Sequence, residues 1–146
     1  MPVSEHRYRR RAEFAETDMA GMVHFSVYLR YVEEAEHAMW RAAGLNIADP
    51  ASPYGFPRIA FSIEYHAPLR FQDEFEVHIQ VTEVRERSLR YRATITRGRE
   101  AIATSTHAAV CVRKGPDGLE AAVMPPEVAG AFTAAAPATP PPAPPQ

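Results

Sequence analysis

The chain has 146 residues, enough for one domain with a sizeable core and too few for two ordinary ones. Hydrophobic residues make up 46% and charged residues 23%, a globular composition, and a net charge of -2 offers no broad positive field for nucleic acid. Cys111 is the only cysteine, so no internal disulfide forms; residues 1–11 are basic without the apolar run of a secretory signal, and no stretch nears the roughly 20 apolar residues that span a bilayer, so a cytoplasmic protein that does not enter membranes is expected.

In chain order, the run from His6 through Tyr8 to Phe14 reads as a first strand, its alternation weakened by Arg9-Arg10-Arg11. A loop follows, Phe14-Ala15-Glu16-Thr17-Asp18-Met19-Ala20-Gly21-Met22-Val23-His24-Phe25, dense in ionisable groups and small residues. From Phe25 to Gly44 the apolar residues Phe25, Tyr28, Val32, Ala35, Met39 and Ala42 recur at spacings of three and four, which predicts one amphipathic helix of about 19 residues, roughly 28 Å. Leu29, Tyr31 and Trp40 broaden its apolar stripe, Arg30, Glu33, Glu34, His37 and Arg41 gather opposite, and Gly44 is the stop signal.

Four segments then alternate with period two: Ile59, Phe61, Ile63, Tyr65; Phe75, Val77, Ile79, Val81; Leu89, Tyr91, Ala93, Ile95; and Ile102, Thr104, Thr106, Ala108, Val110, Val112. Each is read as a strand with that face buried, the last three forming an antiparallel meander. The opposite face would carry Ala60, Ser62, His78, Thr94, Thr96, Ala101, Ala103 and Ala109, small or polar residues that suit solvent or another subunit. A short helix is expected over Glu127 to Phe132 after Pro125-Pro126. Residues 1–133 form the domain, and 134–146, with six of the fourteen prolines in the last ten residues, read as a disordered tail. The economical arrangement is an α+β fold in which a curved antiparallel sheet of about five strands wraps around the one long helix. Open sheet edges favour a homodimer or homotetramer.

The chemistry concentrates ahead of the helix. Its free N–H groups and positive dipole end suit an anion or developing oxyanion, Gly21 gives a carbonyl room to approach, and Asp18 can attack that carbonyl or activate water. The competing reading of Asp18 is a cap or turn residue, and on residue types alone that reading stands ahead.

The run Glu16-Thr17-Asp18-Met19-Ala20-Gly21-Met22-Val23-His24-Phe25-Ser26-Val27-Tyr28, with Tyr31 and Glu34, resembles the signature of the 4-hydroxybenzoyl-CoA thioesterase family of hotdog proteins. Tyr65-His66-Ala67-Pro68-Leu69-Arg70-Phe71-Gln72-Asp73, Ser88 and Met124-Pro125-Pro126-Glu127 extend the likeness over about residues 6 to 130. The resemblance implies hydrolysis of an acyl-CoA without a cofactor, Asp18 being nucleophile or general base, the Phe25 backbone N–H polarising the carbonyl, Gly21 shaping the approach and His24 lying near. Tyr28 also matches the motif, but its place on the apolar stripe favours a core role. Gln72 departs from the family, which often has glycine before the turn aspartate.

For coenzyme A, Ser88 and, in the turn before it, Arg85 and Arg87 are the chosen contacts, the two arginines out of a basic group that also holds Arg90, Arg92, Arg58 and Arg70. Glu33 and Glu34 are a second catalytic choice, against an ordinary Glu33–His37 helix pair. The six histidines lack metal-ligand spacing, and Cys111 reads as a small buried residue. Tyr54, Phe56, Phe61 and Trp40 line an acyl pocket or belong to the core. Acyl-CoA hydration and non-catalytic acyl-CoA binding stay open as alternatives.

Overall fold

A computed structural model of the protein describes residues 1–137. In chain order it contains β1 (Glu5–Arg11), α1 (Val27–Ala42), the two-residue β2 (Tyr54–Gly55), β3 (Arg58–Tyr65), β4 (Glu74–Val84), β5 (Ser88–Arg97), β6 (Glu100–Val110), β7 (Val112–Gly115), β8 (Gly118–Ala121) and the one-turn α2 (Pro126–Ala129). Five strands form an antiparallel sheet in the order β1-β4-β5-β6-β3, and α1 lies against it. Tyr28, Tyr31, Val32, Ala35, Met39 and Trp40 of the helix share one core with Phe75, Val77, Ile79, Leu89, Tyr91, Ala93 and Ile95 of the sheet. Each fully buried large side chain there contributes on the order of 1.5–3 kcal/mol, which makes this helix–sheet contact the main source of stability. Trp40 is core rather than pocket, packed between Phe56 and Phe132 with its indole N–H donating to the Tyr91 hydroxyl at 3.1 Å.

The helix is shorter than its apolar period implies. Ser26 is its N-cap and the Val27 N–H donates to the His24 carbonyl, so Phe25 belongs to a turn ahead of it. Gly44 ends it as expected, at φ +80°, in the left-handed conformation that glycine adopts without a Cβ penalty. The first strand also stops early, at Arg11, because Phe14–Glu16 coil into a 3-10 turn closed by the Glu16 carboxylate accepting from the Glu13 N–H at 2.8 Å. The closing helix occupies Pro126–Ala129, short of Phe132.

The phase of β6 is reversed from expectation. Ile95 pairs with Ala103 and Thr96 with Ala101, leaving Ile102 as the extra residue of a bulge. A one-residue slip exchanges the faces of everything beyond it. Ala103, Ser105, His107 and Ala109 therefore share the buried face of Leu89, Tyr91, Ala93 and Ile95, while Thr104, Thr106 and Val110 lie on the outer face, where Ala103 and Ala109 had been expected. Ala60, Ser62, Thr94 and Thr96 do occupy the outer side. A second sheet, β2-β7-β8, was not foreseen, and its hairpin Arg113 to Ala121 is polar and exposed. Most of the proline-rich tail lies outside the described residues; inside them, the Ala135 N–H donates to the Val81 carbonyl at 2.7 Å.

Candidate active site

Asp18 opens a tight hairpin. Its N–H donates to the Met22 carbonyl at 2.8 Å, its carboxylate Oδ1 accepts from the Ala20 N–H at 2.9 Å and the Met22 N–H at 3.3 Å, and the Gly21 N–H returns to the Asp18 carbonyl at 3.0 Å. This is the self-bonded turn that aspartate favours. It is not a helix cap, since Ser26 holds that place. Gly21 is demanded by its φ of +79°; a Cβ there would meet nothing within 4 Å, so the room it leaves faces outward. Beyond the turn, Thr17 bridges Val23, Met22 bridges Arg70, and the Val23 N–H donates to the Leu69 carbonyl at 2.8 Å. The hairpin is thus fastened to the segment leading into β4. The second carboxylate oxygen of Asp18 meets no protein donor among the described residues.

The turn between hairpin and helix is held at several points. The His24 N–H donates to the Glu16 carbonyl at 2.9 Å, and the His24 Nδ1 faces the Ser26 hydroxyl at 2.7 Å and the Ser26 N–H at 3.3 Å. His24 therefore bonds forward into the helix start rather than back to Asp18. The Phe25 carbonyl accepts from the Tyr65 hydroxyl at 2.7 Å, whereas the Phe25 N–H has no protein acceptor among the described residues. An exposed N–H at a helix entrance is what a developing oxyanion requires. Tyr28 is buried, as its place on the stripe implied, and its hydroxyl accepts from the Leu69 N–H at 3.1 Å. Burial pushes that hydroxyl above its ordinary pKa, and the nearby carboxylates of Asp18 and Asp73 push the same way.

Beneath the turn lies a charged network that composition did not reveal. Glu16 is 5% exposed and its Oε1 accepts from Arg10 Nη1 at 2.7 Å, the Tyr31 hydroxyl at 2.7 Å and the Glu13 N–H. Arg10 Nε also reaches Glu34 at 2.9 Å, and its guanidinium lies over the Tyr31 ring, 4.7 Å from the centroid. Burial would raise the Glu16 carboxyl pKa, but the Arg10, Glu13 and Tyr31 donors together hold it below the ordinary glutamate value. Glu34 is thereby occupied, and Glu33 and His37 both turn to Arg58 instead of to each other. A second buried carboxylate, Glu36, accepts from Arg58 and sits 3.2 Å from His107 Nε2.

Arg85 and Arg87 lie in the turn between β4 and β5, with Ser88 opening β5 and Arg85 donating to Glu83 at 2.6 Å. The Asp18 hairpin is tied to the other end of β4, beside Arg70. Eleven residues of β4 at about 3.3 Å each put roughly 30 Å between the two ends, so one chain does not bring these arginines to Asp18. In the turn before β4, Gln72 adopts φ 68°, the left-handed conformation that glycine takes without a Cβ penalty. Asp73 fixes this turn by accepting from the Arg70 N–H at 2.8 Å and from Arg97 at 2.5 Å.

One helix cradled by a single curved antiparallel sheet is the hotdog architecture. The pattern of the thioesterase-like superfamily matches residues 12–132. A putative esterase from Aquifex aeolicus is 39% identical over 79 residues, 53% of this chain and 61% of that protein. A 1,4-dihydroxy-2-naphthoyl-CoA hydrolase from Synechococcus elongatus is 25% identical over 113 residues, 75% of this chain and 83% of its own. Among solved structures, a hypothetical protein from Aquifex aeolicus superposes with a TM-score of 0.82 at 29% identity, covering 88% of this chain and 99% of that one. The chain belongs to the thioesterase-like superfamily, as its resemblance to the 4-hydroxybenzoyl-CoA thioesterases implied, and its enzyme class is that of the thioester hydrolases. None of its helices among the described residues is long and apolar enough to cross a membrane.

Proposed function

We propose that the chain hydrolyses an acyl-CoA thioester, with Asp18 as the catalytic carboxylate and the Phe25 N–H as oxyanion donor. What supports this most is the pairing of an uncommitted backbone donor at the helix entrance with a carboxylate on a fastened hairpin. The thioester carbonyl oxygen accepts from the Phe25 N–H, and Gly21 leaves the outward approach open. In one route Asp18 attacks the carbonyl carbon, coenzyme A leaves as the thiolate, and water hydrolyses the resulting mixed anhydride. In the other, Asp18 takes a proton from water, which attacks and expels the thiolate. What weighs against the hydratase reading is that His24 faces the Ser26 hydroxyl rather than Asp18.

The working unit is a homo-oligomer. Edge strand β1 is guarded by Arg7, Arg9 and Arg11, whereas the other edge, β3, presents Ile59 at 62% exposure near its start and Tyr65 at 44% at its end, where Tyr65 meets Phe25, itself 66% exposed. A second copy covering this edge is the means by which its Arg85 and Arg87 reach the coenzyme A phosphates at the first copy's Asp18. The acyl group follows the named relative, an aromatic acyl-CoA. The deciding experiment measures thiol release from short, long and aromatic acyl-CoA substrates by wild type and Asp18→Asn. Asparagine keeps the Oδ1 acceptor, so the hairpin and the thermal melt should hold while turnover falls on the order of 10²–10⁴-fold. Full activity in Asp18→Asn would sink the assignment.

A further inference from the structure

We infer that Tyr65 is a positioning residue for the oxyanion donor, an inference that rests on the hydrolase reading above. Tyr65 is the last residue of β3, pairs with Ala103 and so shares the helix side of the sheet. Its ring meets Tyr28 edge-on at 5.1 Å, and its hydroxyl donates to the Phe25 carbonyl at 2.7 Å. The His24–Phe25–Ser26 turn is thereby gripped from two sides. On one, the His24 N–H is held by the Glu16 carbonyl, whose residue is fixed by Arg10 and Tyr31. On the other, Tyr65 fixes the Phe25–Ser26 peptide. Between the two anchors the Phe25 N–H is left over, its direction set by its neighbours rather than by an acceptor of its own.

The bond is poorly suited to a purely structural purpose. Phenylalanine at this position would keep the contact with Tyr28 and lose only the reach to the turn. Burial, with Tyr28 beside it, pushes the Tyr65 hydroxyl above the ordinary tyrosine value; like any tyrosine it is protonated and free to donate at neutral pH. Aim matters to an oxyanion donor more than strength does, because displacing a reacting group by about 1 Å costs up to roughly 10²-fold in rate.

Tyr65→Phe tests this, with thiol release from the acyl-CoA panel, thermal melting and the carbonyl carbon resonance of Phe25 as the readouts. The expected result is a kcat lower by about ten- to a hundredfold with KM and melting temperature unchanged, and a shifted Phe25 carbonyl carbon resonance as its hydrogen bond is lost. Wild-type kcat in Tyr65→Phe beside an inactive Asp18→Asn overturns the inference and leaves the hydrolase reading standing. A raised KM at constant kcat also overturns it, since Tyr65 would then be a substrate contact. Absence of thiol release from the wild-type chain on every substrate overturns the hydrolase reading and the inference together.

Discussion

Replacing Glu16 with alanine removes one acceptor from three donors at once, and the cost follows from where each donor is left. Arg10 keeps its 2.9 Å contact to Glu34, and the Glu13 N–H belongs to an exposed residue that water reaches, so neither is stranded. The Tyr31 hydroxyl is different: Tyr31 is fully buried and Glu16 is its acceptor at 2.7 Å. An orphaned buried hydroxyl costs about 1–3 kcal/mol, and the lost charge-assisted bond to Arg10 about 1.5–3 kcal/mol. Since the two share one oxygen and do not add fully, a loss of about 3 kcal/mol is expected. For a chain of this size that lowers the melting temperature by about 10 °C. Urea unfolding of wild type, Glu16→Ala, Tyr31→Phe and the double variant measures both the total and the coupling. A loss under about 1 kcal/mol, or additive single effects, would refute the view that Glu16 is the hub joining β1, the 3-10 turn and the helix.

Two further outcomes are expected. Gln72→Gly relieves a side chain held at φ 68° and should raise stability by about 1 kcal/mol, while Gln72→Ala should not, a contrast that paired denaturant midpoints would settle. Stability should also fall with acid. Burial pushes the Glu16 and Glu36 carboxyls upward, yet Arg10 at the first and His107 with Arg58 at the second hold both below the ordinary glutamate value. Folded values below the unfolded one mean that their contribution is complete above pH of about 4.5 and drains away as pH drops through the folded values. A urea midpoint that stays flat between pH of about 5 and 3 would contradict it.

Periodicity made most of the architecture readable, because a helix at period 3.6 and strands at period 2 each leave large apolar residues at fixed intervals. The meander of β4, β5 and β6 needed only short polar turns to be recognised. What failed were features that depend on one residue or on distant partners. Ile102 sits in a bulge that alternation cannot show, and since both faces of β6 are small or weakly apolar, nothing in their composition corrected the phase. Phe14 looked like a strand residue until the Glu16 carboxylate curled the backbone behind it. The hairpin of β7 and β8 carries too little apolar surface to signal a strand. At the candidate site, Asp18, Gly21, His24 and Phe25 were singled out through a local motif. Tyr65, Glu16 and Arg10 escaped because their relevance lies in contacts across the fold: Tyr65 read as one more buried-face residue of its strand, Glu16 as one ionisable group of a loop, and Arg10 as part of a basic run. The arginines at 85 and 87 show the converse, being close to Ser88 in sequence but at the far end of the sheet from Asp18.

The place of β3 at the sheet margin governs how the molecule assembles as it is made. This strand is synthesised third, yet its sheet partner is β6, so Arg58 waits for Ala109 and Tyr65 for Ala103. Throughout that interval the nascent chain holds α1 and the apolar sequence of β3 with no sheet to receive them. The contiguous β4–β5–β6 ribbon has the shortest loops to close and is the natural nucleus, after which the helix docks and β1 and β3 zip onto opposite margins. Until then β3 is an uncharged-cored strand with an open edge, and the chain's exposure to misassociation is set by the time needed to synthesise and pair residues 66–109.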